Sequence, residues 1–235
     1  MRFKDEGIVL KTVRTRDTGM VLHTFSREAG RSAFFLQGVG NKKKDKPSSL
    51  LFPGSILQLE GLKRVQSSLA QITSYSASTP LTELRFSIQK SSISIFWMEV
   101  LSEVTTDGYV NAEMYDFVRE KIAALNHLDS PLFPLFFVVG IAEKLGSFPH
   151  LSPHPFFDLR EGEFVGHQPQ HPDFFDREDS ALFKTSFALL PHGDVSFSRY
   201  DRTKLLDLWL RYLGVQNQHP LRLKSLDILK TLFQS

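Results

Sequence analysis

The chain of 235 residues contains no cysteine. Disulfide frameworks and thiolate metal sites are therefore excluded, and the absence suits a reducing compartment. The longest apolar run, residues 131–142, is shorter than the roughly 20 residues that a membrane-spanning helix needs. The first six residues lack the basic and then apolar pattern of a signal peptide. We therefore expect a soluble, cytoplasmic protein with no membrane partner.

Catalytic signatures are also missing. The chain has no cysteine nucleophile, no Walker-type phosphate loop, no GxSxG and no HExxH sequence. Its Asp and Glu residues are scattered along predicted helices, as on solvated faces. We therefore expect no enzyme, no catalytic residues and no cofactor. The alternative, a hydrolase with an unrecognised site, predicts turnover of a nucleic-acid substrate.

Short strand-like segments follow one another in the first 76 residues. Val, Ile, Thr and Phe in runs of five to nine residues, bounded by Gly and Asp, are typical of strands. The predicted strands cover residues 8–13, 20–25, 32–39, 54–62 and 69–76. Five such strands predict a small closed barrel of the OB type, which binds ligands through the face of its second and third strands and through its loops.

The charge is divided unevenly along the chain. Up to Pro80 there are 13 Lys and Arg against 6 Asp and Glu, a net charge of +7, whereas the remainder carries −5. The overall charge of +2 conceals this separation. A polyanion is expected to bind the positive part.

Basic and aromatic side chains of the barrel are the candidate nucleic-acid contacts, because cationic loops follow phosphates and aromatic rings stack on bases. Phe34 and Phe35 are neighbours in a strand, so they point to opposite faces and one is expected in the core. The alternative is a solvated lysine loop beside core phenylalanines. The candidate nucleic-acid-binding residues are Arg14, Arg16, Arg31, Phe34, Phe35, Lys42, Lys43, Lys44, Lys46, Lys63 and Arg64.

Beyond residue 79 the apolar spacing changes to the rhythm of helices. Five helices are predicted. The first begins at Pro80 and ends before Asp107-Gly108, and the second begins after a cap at Asn111. The third covers 132–145 after Ser130-Pro131, the fourth runs from a cap at Ser198 to Gly214, and the fifth covers 221–233. The proline-rich segment 147–191 is predicted to be irregular, with one hairpin across residues 160–162. The prediction is an α+β chain, with a basic, nucleic-acid-binding OB-type barrel over 1–79 and a helical domain over 80–235.

Four histidines in the irregular segment are a candidate metal site. His150, His154, His167 and His171 form two H-x3-H pairs, which resembles the outline of a four-ligand zinc site. All-imidazole structural sites are uncommon, and proline-rich loops collect exposed histidines. We therefore predict no metal, and the question stays open on sequence alone.

Several segments, in order along most of the chain, resemble the bacterial recombination mediator family RecO. They are GIVLKT at 7–12, TFSREAGR at 24–31, QGVG at 37–40 running into lysines, EKLG at 143–146 followed by Phe148-Pro149, and LKSL at 223–226. This resemblance implies an N-terminal OB domain and a helical C-terminal domain. Many members carry a four-cysteine zinc module at the position of residues 148–190, where this chain has no cysteine.

The resemblance also implies a function in DNA repair and homologous recombination. Such proteins bind single- and double-stranded DNA, anneal complementary strands, contact the C-terminal tail of single-stranded DNA-binding protein (SSB) and, with RecR, help load RecA onto coated strands. A nucleoid-associated, cytoplasmic location follows from that role. An acidic, apolar tail needs a basic rim, for which Arg119, Lys121 and Lys144 are candidates. The competing interpretation is an OB module that binds RNA or a protein without annealing activity.

Overall fold

The computed structural model describes residues 1–15, 19–37, 48–63, 69–189 and 195–232. Contacts between residues divide the chain into two compact units, Met1–Asp129 with Lys224–Leu232, and Ser130–Leu223. The domain boundary predicted between residues 79 and 80 stays a prediction. Within the described ranges, no helix is long and apolar enough to cross a membrane.

Five strands of the first unit close into a barrel in the order β1-β2-β3-β5-β4, with β4 returning to β1. The strands are β1 (Arg2–Arg14), β2 (Gly19–Ser26), β3 (Gly30–Gln37), β4 (Ile56–Leu62) and β5 (Ala70–Ala77). Neighbours are antiparallel except β3 and β5, which run parallel. The predicted OB-type barrel is therefore confirmed.

Strand β1 begins six residues earlier than predicted. Its first residues, Arg2 to Glu6, are mostly polar, so they carry no apolar alternation that a sequence pattern would detect. They are held as a strand by pairing with β4, from Arg2 opposite Leu62 to Glu6 opposite Gln58. This pairing joins residues more than 50 positions apart, which explains why local sequence did not indicate it.

The helices, in chain order, are α1 (Thr82–Phe86), α2 (Ile88–Val104), α3 (Ala112–His127), α4 (Phe133–Lys144), α5 (Arg177–Thr185), α6 (Arg199–Gln216) and α7 (Leu226–Leu232). The single helix predicted from Pro80 is wrong, because the chain is extended at Ser87 and divides α1 from α2. The Ser87 hydroxyl caps α2 by accepting a hydrogen bond from the Lys90 N–H at 3.3 Å. The predicted cap at Asn111 is confirmed, with its side chain accepting from Met114 N–H at 2.9 Å.

Two other helix starts differ from the prediction. Helix α4 begins at Phe133, with Pro134 in its first turn, whereas Ser130 accepts from Leu132 N–H at 3.2 Å in a preceding turn. Helix α7 begins at Leu226 instead of residue 221. The Glu99 carboxylate on α2 accepts from both the backbone N–H and the hydroxyl of Ser225, which holds the chain just before α7.

The second unit contains α4, α5, α6 and a small sheet of β6 (Phe156–Asp158), β7 (Glu163–Val165) and β8 (Phe174–Phe175) in the order β7-β6-β8. The hairpin predicted across residues 160–162 is confirmed. Strand β8 and helix α5 were not predicted, because a two-residue strand and a nine-residue helix carry too few apolar positions to show a period. The Ser198 cap of α6 is confirmed, and the helix continues two residues beyond Gly214.

An aromatic cluster, defined by Phe157, Phe164, Phe183, Trp209 and Tyr212, forms the core of the second unit around this sheet. The ring centroid of Phe157 lies 4.7 Å from that of Phe164 and 4.9 Å from that of Phe183. The Phe183 and Trp209 centroids are 4.5 Å apart, and the buried indole N–H donates to Ser186 Oγ at 2.8 Å. Apolar packing therefore consolidates the segment where the family resemblance implies a zinc module.

Candidate nucleic-acid interface

Strands β1, β2 and β3 present an outward surface whose residues follow from strand alternation. Leu22, Phe34 and Leu36 fill the barrel interior, so their neighbours along each strand point outwards. Pairing arranges these neighbours in two cross-strand rows. We call this surface the open face, and its residues are Val13, Val21 and Phe35 in one row and Lys11, His23 and Ala33 in the other.

The next row along the same surface is covered. Phe25 is fully buried, and its ring centroid lies 6.4 Å from that of Tyr115 on α3. Gly30, at the start of β3, has a φ of +63°, and a Cβ built there would lie 2.0 Å from the Tyr109 carbonyl oxygen. Only glycine therefore allows the connection between α2 and α3 to approach the barrel this closely.

The two phenylalanines of β3 are divided between core and surface, as expected. Phe34 is 6% exposed and belongs to the barrel core, which leaves it no surface for stacking on a base. Phe35 is half-buried on the open face. A Cβ at Gly19 would lie 2.6 Å from two ring atoms of Phe35, so the ring rests against the Gly19 backbone. The proposed stacking role therefore falls to Phe35.

Exposed cations lie at the end of the barrel where Phe35 is placed. Arg14 and Lys63, both predicted, are exposed, and so are Arg2 and Lys11, which were not among the candidates. None of these four has an ion-pair partner within the part of the chain that the structure describes. Elsewhere on the barrel, by contrast, the Lys4 ammonium lies 2.6 Å from the Glu60 carboxylate.

Strand pairing places the described ends of several strands close to Phe35. Phe35 pairs with Gln71 near the start of β5, and Gln71 also pairs with Leu62 at the end of β4. Gly19 at the start of β2 pairs with Gln37 at the end of β3. The predicted contacts Arg16, Lys42, Lys43, Lys44, Lys46 and Arg64 lie outside the described residues.

Arg31, another predicted DNA contact, is used inside the first unit. Its guanidinium donates to the carbonyl oxygen of Ser102 at 2.5 Å and to that of Thr105, at the C-terminal end of α2. Its Nε lies 3.1 Å from the Asp107 carboxylate, and its side chain is only 19% exposed. A cation at a helix C-terminus satisfies the last carbonyls and opposes the helix dipole. We therefore assign Arg31 a structural role.

His23 is the titratable group of the open face. Its Nδ1 atom is buried and has no hydrogen-bond partner among the described residues, whereas Nε2 is not enclosed. Burial lowers the pKa of His23, and the positive charges of Lys11 and Arg31 lower it further, against a smaller opposing effect of Asp107. A lowered pKa keeps the imidazole neutral at neutral pH.

The three candidates for the SSB tail do not share one element. Arg119 on α3 lies with its Nε 3.2 Å from Glu6 of β1, and Lys121 is 15% exposed and 3.0 Å from Glu120. Residues two positions apart on a helix do not face each other, so Arg119 and Lys121 point in different directions. Lys144 belongs to the second unit and lies 3.6 Å from Glu143. A common pocket for these residues stays a prediction.

The four histidines do not assemble into a ligand group. Among the described residues, which include all four, no three His, Asp or Glu side chains are placed to hold a metal ion. His171 instead pairs through Nε2 with the Asp158 carboxylate at 3.1 Å. The other Asp158 oxygen accepts from the backbone N–H of Arg160 at 2.8 Å, so this carboxylate organises the β6–β7 turn.

Comparison with known proteins gives a consistent result. Residues 1–81 match the family described as Recombination protein O N terminal. Proteins named DNA repair protein RecO are similar over nearly the whole chain. The one from Phocaeicola vulgatus is 27% identical over 98% of each chain, and those from Azobacteroides pseudotrichonymphae and Flavobacterium psychrophilum are each 24% identical over 99% of this chain and 100% of theirs. These matches confirm the resemblance carried by the sequence segments.

Proposed function

We propose that the chain is a protein of the RecO family, which it resembles over nearly its whole length, and that it acts in DNA repair and homologous recombination by binding single- and double-stranded DNA. The observation that carries the proposal is the open face of the barrel. It combines a half-buried aromatic ring, Phe35, with exposed cations that have no ion-pair partner among the described residues. Rings accept any base by stacking, and cations follow the phosphate backbone, so this surface suits single strands of any sequence.

The finer part of the proposal is a mediator role. The protein anneals complementary strands, contacts the SSB tail and, with RecR, helps load RecA onto SSB-coated single strands. This is an exchange of binding partners that needs no covalent chemistry. Two strands held on a cationic surface repel each other less than free strands do, so complementary bases pair more readily.

Arg119 would have to change partners to bind the tail. In the free protein its Nε lies 3.2 Å from Glu6, and its side chain is 48% exposed. An incoming carboxylate would therefore compete with Glu6 for the guanidinium. Lys121 and Lys144 stay separate candidates for contact with the tail, and each already lies near a glutamate on its own helix.

The test is a titration of labelled single-stranded DNA by fluorescence anisotropy at several salt concentrations. We expect Lys11→Gln and Arg14→Gln each to weaken binding and to reduce the log–log salt slope by about 0.7 per lost phosphate contact. A variant with Lys42, Lys43, Lys44 and Lys46 replaced by alanine tests the predicted lysine segment in the same way.

The matched control is Lys224→Gln, which removes the same charge from an exposed position just before α7. It should leave the slope unchanged. Equal effects of all single-charge variants would show non-specific attraction and contradict a site on the open face. Absence of DNA binding by the wild type, even at low salt, would overturn the proposed function.

The alternative is an OB module that binds RNA or a protein partner without annealing activity. Annealing of two complementary labelled strands, followed by energy transfer, separates the two. Acceleration of annealing by the wild type, and its loss in Lys11→Gln, would support the mediator. DNA binding without acceleration would favour the interaction module.

A further inference from the structure

His23 lies on β2, the middle strand of the open face, in the row that borders the covered one. It is paired across the sheet with Lys11 on one side and with Ala33 on the other. Phe35 is two residues beyond Ala33 on β3, which makes it the diagonal neighbour of His23 on the same face. A base stacked on Phe35 would therefore present its edge towards the imidazole, with Lys11 beyond it for the phosphate.

The two ring nitrogens of His23 have different surroundings. Nδ1 is buried and finds no partner in the described part of the chain, whereas Nε2 is not enclosed. An orphaned buried N–H is rarer in proteins than an acceptor left without its full set of partners. The arrangement therefore favours a bare Nδ1 lone pair inside and an Nε2–H directed outwards.

The charges around His23 also disfavour protonation of Nδ1, which would make the imidazole cationic. Lys11 on β1 and Arg31 on β3 are cations, and Asp107 in the α2–α3 connection is the one anion among the described residues whose charge acts on this imidazole. Arg31 itself lies 3.1 Å from Asp107, which neutralises much of that anion. A proton on Nδ1 would also create a buried N–H without an acceptor.

We propose that His23 is a neutral hydrogen-bond donor to nucleic-acid bases, which contacts the acceptor atoms of a base stacked on Phe35 through Nε2–H. The inference rests on the proposed function, because it assigns a residue within the same binding face. His23 thereby contributes to recognition of the base, whereas Lys11 contributes to attraction of the phosphate. Every base carries acceptor atoms on its edge, so this contact is compatible with binding of many sequences.

The test compares two variants on two oligonucleotides. His23→Leu removes the donor, whereas His23→Gln keeps a neutral N–H donor. Each is titrated into labelled oligothymidine and into an oligonucleotide of equal length made of abasic sites, which retains the phosphates. We expect His23→Leu to lose about 5- to 10-fold in affinity for oligothymidine, as a single hydrogen bond predicts. It should lose nothing on the abasic strand, and the salt slopes should match the wild type.

His23→Gln should recover part of the affinity for oligothymidine. Long-range proton–nitrogen correlation spectra of the wild type at neutral pH should show a protonated Nε2 and a bare Nδ1. A reduced salt slope in His23→Leu would reveal a cationic imidazole and overturn the proposal. Equal losses on both oligonucleotides would place the contact on phosphate and overturn it too. If the wild type binds DNA and His23→Leu binds equally well, this inference alone is wrong. If the wild type does not bind DNA, the proposed function itself is wrong.

Discussion

The ring of Phe35 rests on the backbone of Gly19 in the neighbouring strand. A Cβ at residue 19 would lie 2.6 Å from both Cε2 and Cζ of this ring, closer than side-chain atoms can approach. The two residues are diagonal neighbours, since Gly19 pairs with Gln37 and Val21 with Phe35. Gly19 thus determines where the aromatic ring of the open face lies.

We predict that Phe35→Ala weakens binding of single-stranded DNA by about 5- to 150-fold, because stacking contributes roughly 1 to 3 kcal/mol per base. Gly19→Ala should weaken it less, by displacing the ring without removing it. The effects should be less than additive in the double variant, since both act through one ring. Anisotropy titrations measure all three. Additive effects, or a loss in Gly19→Ala that persists when residue 35 is alanine, would contradict the relationship.

We predict that Glu6 makes a pH-dependent contribution to the free energy of unfolding. Its carboxylate accepts from Tyr115 Oη at 2.8 Å and Gln58 Nε2 at 2.8 Å, also from the Ser78 hydroxyl, and pairs with Arg119. Burial alone would raise the pKa of Glu6, but the donors of Ser78, Tyr115 and Arg119 outweigh burial and hold it below 4.5. Because the folded pKa is the lower one, this stabilisation is present above about 4.5 and is lost as the pH falls through the folded value.

Glu6→Gln should therefore lower the free energy of unfolding by about 1 to 3 kcal/mol at neutral pH. The difference from the wild type should shrink as the pH falls below the ordinary carboxyl pKa. Urea unfolding at a series of pH values measures both quantities. Tyr115→Phe, which removes one donor and keeps the ring, should show a smaller difference. A gap between wild type and Glu6→Gln that does not change with pH would refute the assignment.

Arg31 and Arg14 should behave in opposite ways. Arg31→Gln removes the cation from the end of α2, so it should lower the free energy of unfolding by about 1 to 3 kcal/mol and leave the salt slope of DNA binding unchanged. Arg14→Gln, at an exposed position, should leave stability within about 0.5 kcal/mol and reduce the slope. Unfolding curves and salt titrations of both variants decide the matter. The reverse pattern would restore Arg31 as a DNA contact.

The aromatic cluster of the second unit should make its fold independent of metal. We expect a chelator to leave the thermal unfolding of the wild type unchanged, and Phe157→Ala to cost about 3 to 5 kcal/mol, because this side chain is fully buried. Phe86→Ala is the control, since that ring is 81% exposed and should cost less than about 0.5 kcal/mol. A fall in the unfolding temperature on chelation would show a metal contribution.

The barrel was predictable, but the open face was predictable only in part. Phe35 and Arg14 were candidates, whereas Lys11, His23 and Gly19 were not. The pairing of β1 with β2 shifts register between Val9 and Lys11, with Leu10 as the extra residue. Such a bulge moves every later side chain to the other face. Val9 faces the barrel core, and Ile8 lies in the covered row beside Phe25. Ile8, Val9 and Leu10 are therefore all buried in succession, and no alternation in the sequence assigns Lys11 to the surface.

Local sequence was enough to predict the order of the five barrel strands, the positive charge of the first 80 residues and the caps at Asn111 and Ser198, because these features depend on composition and on neighbours a few positions away. Which cations lack an anionic partner among the described residues depends instead on tertiary contacts. Arg31 meets Asp107, and Arg27 meets Asp116, 89 positions along the chain, whereas Lys11 and Arg14 meet no anion among the described residues. Ion pairing depends on distances between side chains, and folding sets those distances for residues that are far apart in sequence.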